Sequence, residues 1–195
     1  MVRLTRTIHP IEAESMTILR SRLDLSHLPP LQRAVVERVV HASADLDYAT
    51  DLVLPDEALL EAARRALADG APVVADVEMV AAGITRVSAL CRVREAAARD
   101  GLTRSAVALE EAAALAGPGA VYVVGCAPTA LFRLLELDAA PALVIGLPVG
   151  FVGAAESKAA LRDSGLPAVS NVSEKGGSAV ASAALNALLY AEGLS

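Results

Sequence analysis

The chain has 195 residues, of which 54% are apolar and only 3% aromatic, with no tryptophan and a formal net charge of −6. That length fits one domain on the usual scale of about 100–200 residues each, and it can bury a substantial core. The acidic balance argues against a nucleic-acid surface, and a core of Ala, Val and Leu suits helices packed closely on a Val-rich sheet.

Two cysteines, Cys91 and Cys126, are too few for a disulfide framework and lack metal-ligand spacing. Met1-Val2-Arg3-Leu4-Thr5-Arg6 lacks the apolar run that export requires, so the cytoplasm is the expected compartment.

From Pro10 to Arg22 the pattern is helical, with Ile11, Met16, Ile18 and Leu19 as expected core positions. His9 stands at the helix entry. Ser15, inside the helix, either hydrogen-bonds back to it or points at a ligand; back-bonding is the favoured reading. His27, in the turn before Pro29-Pro30, is expected in solvent.

A second helix opens at Pro29-Pro30, with Leu31, Val35, Val39 and Ala42 at three- and four-residue spacing. Glu37, His41 and Asp45 are spaced to stack one turn apart on one face. Two carboxylates and a nearby helix C-terminus favour a protonated ring, while Arg38 opposes it. The expected product is an imidazole able to lend a proton near neutrality, although such residues also serve purely structural ion-pair networks.

Tyr48–Leu54 leads to a helix from Pro55-Asp56-Glu57 to Asp69, stopped by Gly70. A short buried strand, Pro72–Ala75, ends at Asp76 and Glu78. A short helix and turn cover Met79–Ile84, and Val87–Val93 reads as another strand. Gly101-Leu102-Thr103-Arg104-Ser105 introduces the helix Ala106–Ala116. There Arg104 either draws an anion together with the free helix amides or is simply solvated.

Ala112–Phe132 carries no charge and is long enough to span a bilayer, which takes about 20 residues. Gly117-Pro118-Gly119 and Pro128 interrupt it. It therefore reads as a helix end, a turn, a buried strand Val121–Val124 and a new helix, and the chain is expected to be soluble. Then come helix Ala130–Leu137, strand Ala142–Leu147, helix Ala154–Ser164, strand Ala168–Val172 and a last helix Ala179–Glu192. Repeated strand–loop–helix units imply an α/β fold, a mainly parallel sheet flanked by helices on both faces in three layers. Ligands in such folds collect past the strand C-terminal ends. The loop Gly146–Gly153 lacks dinucleotide spacing and a phosphate-binding lysine. It and Glu174-Lys175-Gly176-Gly177-Ser178 either bring backbone amides close to a carboxylate or phosphate, or are merely tight turns.

Taken together, the blocks Pro10-Ile11-Glu12, Val39-Val40-His41-Ala42, Ala75-Asp76-Val77-Glu78-Met79-Val80, Thr103-Arg104-Ser105-Ala106, Ala127-Pro128-Thr129-Ala130-Leu131-Phe132, Gly146–Lys158 and Gly176-Gly177-Ser178 resemble the precorrin-8X methylmutase (precorrin isomerase) family of cobalamin biosynthesis. The resemblance covers nearly the whole chain and implies a single precorrin-isomerase-like domain over residues 1–195. It implies a 1,5-sigmatropic methyl shift from C11 to C12 of precorrin-8X, or of its cobalt-containing counterpart, giving hydrogenobyrinate. It also implies a homodimer working without metal or organic cofactor, and a polycarboxylated tetrapyrrole as the partner rather than nucleic acid or membrane. By the same resemblance His41 matches the active-site histidine. Ser15, Arg38, Thr85, Arg86, Arg104, Ser105 and Gly150 fall in segments that look like those contacting substrate. The chain departs from the family pattern at Cys126, where Asn is expected, at Leu102, in a shortened Val87–Gly101 region, and at Ser173-Glu174-Lys175. The alternative reading is a corrinoid-binding carrier of the same fold. A nucleotide-binding enzyme is disfavoured by the missing fingerprint.

Overall fold

The computed structural model describes residues 9–191. The N-terminal stretch read for export and the expected end of the last helix at Glu192 lie outside them. At the centre is a six-stranded sheet in the order β1-β6-β5-β4-β2-β3, comprising β1 (Leu52–Val53), β2 (Val73–Ala75), β3 (Ala89–Leu90), β4 (Val121–Val124), β5 (Leu143–Gly146) and β6 (Ala168–Asn171). All pairings are parallel except the edge pair, where Leu52 opposes Asn171. The fold is therefore the expected α/β class.

Side-chain alternation along each strand sends neighbours to opposite faces. Val73, Val121, Val123, Leu143 and Ile145 point to one face, and Val74, Tyr122, Val124 and Val144 to the other. Both faces are covered, so the central strands read as unbroken apolar runs. Each buried Val is worth roughly 1.5–3 kcal/mol of transfer free energy. The first face carries α2 (Pro30–Ser43), α4 (Glu57–Ala68), α5 (Glu78–Gly83) and α9 (Ser178–Tyr190), together with Leu19 of α1 (Pro10–Arg22) and Tyr48 of α3 (Tyr48–Asp51). The second carries α6 (Arg104–Ala116), α7 (Pro128–Glu136) and α8 (Ala154–Asp163). Gly117, in the left-handed region at φ 71°, stops α6, so the uncharged Ala112–Phe132 stretch turns as expected. No helix among the described residues is long and apolar enough to cross a membrane.

Three local expectations fail. Ile11 and Ile18 are 71% and 45% exposed, because α1 lies outside α2 and buries only Leu19. Ala42 is exposed and faces a cleft rather than the core. Val87–Val93 forms only the two-residue edge strand β3, paired on one side with β2.

Candidate active site

Helix α2 carries the central imidazole, and its ends are set by tertiary and backbone effects. Pro29 offers no side-chain cap, so the Glu57 carboxylate from α4 takes the free amides of Leu31 (2.7 Å) and Gln32 (3.1 Å). At the other end Ala44 turns left-handed, φ 54°, and the helix stops at Ser43. That stop removes Asp45 from the face it was expected to share with Glu37 and His41. Asp45 instead accepts from Lys175 Nζ at 2.7 Å. Buried Glu37 takes two bonds from Arg20, at 2.8 and 2.7 Å. Both carboxylates are thus neutralised by cations from elsewhere in the chain, and the expected three-residue stack does not form.

The partner of His41 is Ser15. Its Oγ lies 2.9 Å from His41 Nδ1, so Ser15 does not bond back to its own helix. One turn before His41, Arg38 donates to Glu12 at 2.8 Å, again across the α1–α2 contact.

Arg38, His41 and Ala42 form one wall of a cleft of about 580 Å³. Met79 and Gly83 of α5, followed by Thr85, form a second wall, and a face of α9 forms the third. Along α9 the cleft meets Ser178, Ser182, Asn186 and Tyr190, a polar residue every fourth position. That spacing keeps all four on one side of the helix. Asn186 fastens α9 to the end of α5, donating to the Gly83 carbonyl at 2.8 Å and accepting from the Thr85 amide at 3.2 Å. The Thr85 hydroxyl lies 2.9 Å from the Tyr190 hydroxyl. Gly83 is required here because a Cβ would overlap the Ser182 side chain. Ser178 lies in the Glu174–Ser178 loop noted from sequence, whereas Ser182, Asn186 and Tyr190 were not singled out. Their i, i+4 repeat was visible but lay inside an Ala- and Leu-rich helix.

The remaining sequence-predicted positions divide. Arg86 borders a second, smaller cleft with Thr85. Its guanidinium donates to the Leu189 carbonyl at 2.6 Å and lies 4.9 Å from the centre of the Tyr190 ring. Arg104 and Ser105 begin α6, on the layer covering the opposite face of the sheet. There Thr103 caps the helix and bonds Thr129 of α7 at 2.7 Å. The Gly150 amide donates to the Glu174 carbonyl at 3.2 Å, which ties its loop to the turn entering α9.

Two fully buried charges organise the loops beyond the strand C-terminal ends. Asp76, just after β2, accepts from the amides of Gly125 (3.1 Å), Cys126 (2.8 Å) and Ala127 (2.8 Å), so it ties β2 to the turn leading into α7. Burial pushes its carboxyl up, and those three amides pull it back. Lys158 of α8 donates to Asn171 Oδ1 (2.9 Å) and to the carbonyls of Ser173 (2.5 Å) and Lys175 (2.6 Å). Burial pushes its ammonium down to about 8. No cluster of metal-binding side chains occurs among the described residues.

Comparison with known proteins bears on this cleft. Residues 10–191 match the family model described as "CbiC: Precorrin-8X methylmutase". Cobalt-precorrin-8 methylmutase of Salmonella typhimurium is 42% identical over 92% of this chain and 93% of its own length. Precorrin-8X methylmutase of Pseudomonas aeruginosa is 43% identical over 96% and 98%, respectively. The solved structure of precorrin-8X methylmutase from Thermus thermophilus superposes with a TM-score of 0.80 at 34% identity, over 93% of this chain and 96% of that one.

Proposed function

The chain belongs to the precorrin-8X methylmutase family, isomerases of cobalamin biosynthesis, and from that premise we propose that it moves the precorrin-8X methyl group from C11 to C12. The C11–methyl bond breaks, the C12–methyl bond forms, and no atom leaves. Such a step asks the protein for positioning and charge relief rather than a leaving-group acid. In our reading the whole chain acts as one domain and His41 is the catalytic residue. Ser15 holds Nδ1 and with it the ring orientation, leaving Nε2 to lend a proton to a ring nitrogen of the macrocycle and recover it after the shift.

The observation that carries this reading is the Ser15–His41 pair on the wall of a cleft of about 580 Å³, a size typical of small-molecule sites. Arg38 and the amides at the uncapped start of α9 suit the carboxylates of the substrate. Arg86, Arg104, Ser105 and Gly150 lie outside that cleft lining, and in this reading they meet substrate side chains at the periphery. The substrate is precorrin-8X or its cobalt-bearing counterpart, and both belong in the assay. The proposal includes a homodimer, since Ile11, Met79, Leu115, Phe151 and Val152 are each at least 67% exposed.

Replacing His41 with Ala is expected to lower turnover of purified precorrin-8X by about 10²–10⁴-fold, with hydrogenobyrinate still bound. Undiminished turnover by that variant would remove His41 from the mechanism. A wild-type protein that bound the product but converted neither substrate would be a carrier.

A further inference from the structure

Lys158 is fully buried, and all three of its donated hydrogen bonds go to β6 and the turn that follows it. A buried ammonium is costly, and an apolar side chain of similar volume would fill the same space at less cost. The hydrogen bonds it makes therefore require their own explanation. Asp51 grips the same turn from the other side, accepting from the Val172 amide (3.0 Å), the Ser173 amide (2.8 Å), the Ser173 hydroxyl (2.6 Å) and Asn171 Nδ2 (2.8 Å). Glu174 and Arg162 are the other charges close to the ammonium, and Arg162 is held by the Asn171 carbonyl at 2.6 Å.

Beyond Lys175 the turn is Gly176-Gly177, which has no side chains with which to anchor itself. Gly176 presses on the Leu147 and Pro148 carbonyls so closely that a Cβ would overlap them. The next residues, Ser178 and Ala179, line the cleft. Lys175 also reaches outward to Asp45 (2.7 Å) and Asp47 (2.6 Å), just past the helix that carries His41. The turn thus sits between two cleft walls.

We propose that Lys158 is a positioning residue for the cleft: by holding the Ser173 and Lys175 carbonyls it sets where α9 begins, and hence where Ser178 and Ala179 stand relative to His41. This rests on reading the cleft as the active site.

The test compares wild type with Lys158→Met, by steady-state turnover of precorrin-8X and by amide hydrogen exchange. KM is expected to rise about tenfold with kcat within about threefold, because a wall shifts while the His41–Ser15 pair stays. Exchange should quicken over residues 172–179 and stay unchanged in α6 and α7. A folded variant with wild-type KM and wild-type exchange over that turn overturns the proposal, as does uniformly faster exchange at unchanged KM. If Lys158→Met does not fold, Ser173→Ala decides; it leaves the lysine in place and loosens the hold of Asp51. It should raise KM about threefold, and an unchanged KM with unchanged exchange again overturns the proposal. Failure of the wild-type enzyme to turn over would sink the active-site reading, and the exchange measurement would then judge Lys158 separately.

Discussion

The turn entering α7 and the turn entering α9 are each built on a single buried charge, and the two charges have opposite sign. At α7 the charge is Asp76, which takes the amides of Gly125, Cys126 and Ala127. At α9 the charge is Lys158, which takes carbonyls instead. It thereby rigidifies the turn while α9 starts at Gly177 with no side-chain cap, its first residues on the cleft. A buried carboxylate gathers amides ahead of α7, and a buried ammonium gathers carbonyls ahead of α9.

The contrast can be broken most forcefully at Asp76. Replacing it with Ala leaves one buried and two part-buried amides without their acceptor, and unfolding free energy should fall by about 3 kcal/mol in urea melts. A loss below about 1 kcal/mol would mean that water closes α7 equally well. The next effect sharpens the comparison through pH. With its folded value pushed to about 8, Lys158 has given up its proton in the folded state between about 8 and the ordinary value of 10.5, while the unfolded chain still holds it. Unfolding then takes up a proton, so raising pH through that window stabilises the protein, and below pH 8 this contribution is flat. Relative to Lys158→Met, wild-type stability should climb by roughly 2–3 kcal/mol across the window. A difference independent of pH would show that the ammonium is not held in a low-dielectric site. The smallest effect belongs to the seam between α9 and the end of α5. Asn186→Ala unties Thr85 and Gly83 at a solvent-facing edge and should cost about 1 kcal/mol, or a few degrees in Tm. A loss as large as that of Asp76→Ala would place the seam on a par with the turn before α7.

Much of the fold was legible because its signals are local. Val121–Val124, bracketed by Gly-Pro-Gly and Gly125, is the strand expected from its composition. Gly70 and Pro128 stand where helices stop and start. The edge strand was over-extended, since the Val87–Val93 segment has a ladder partner on one side only and runs beside it for two residues. Helix α1 was misjudged because its apolar residues do not gather on one face, and only its contact with α2 decides which are covered.

The candidate site was legible as separate residues, His41 and Ser15 among them, and illegible in how they pair. His41 stood out as the histidine of a strongly patterned helix. Its hydroxyl partner is 26 residues away, Glu37 found a cation 17 residues away, and Asp45 found one 130 residues away. The polar face of α9 was hidden by the Ala and Leu residues around it, although its four-residue repeat was in plain view.

Taken alone, the amino-acid order determined the alternation of strands and helices, the apolar runs that bury the sheet on both faces, and the family. Backbone hydrogen bonding and side-chain periodicity act over a few residues, so a linear reading captures them. Which charge neutralises which and where the cleft runs were decided only when α1 lay across α2 and α8 settled over β6. Those pairings follow from packing between distant segments, and no spacing within either segment encodes them.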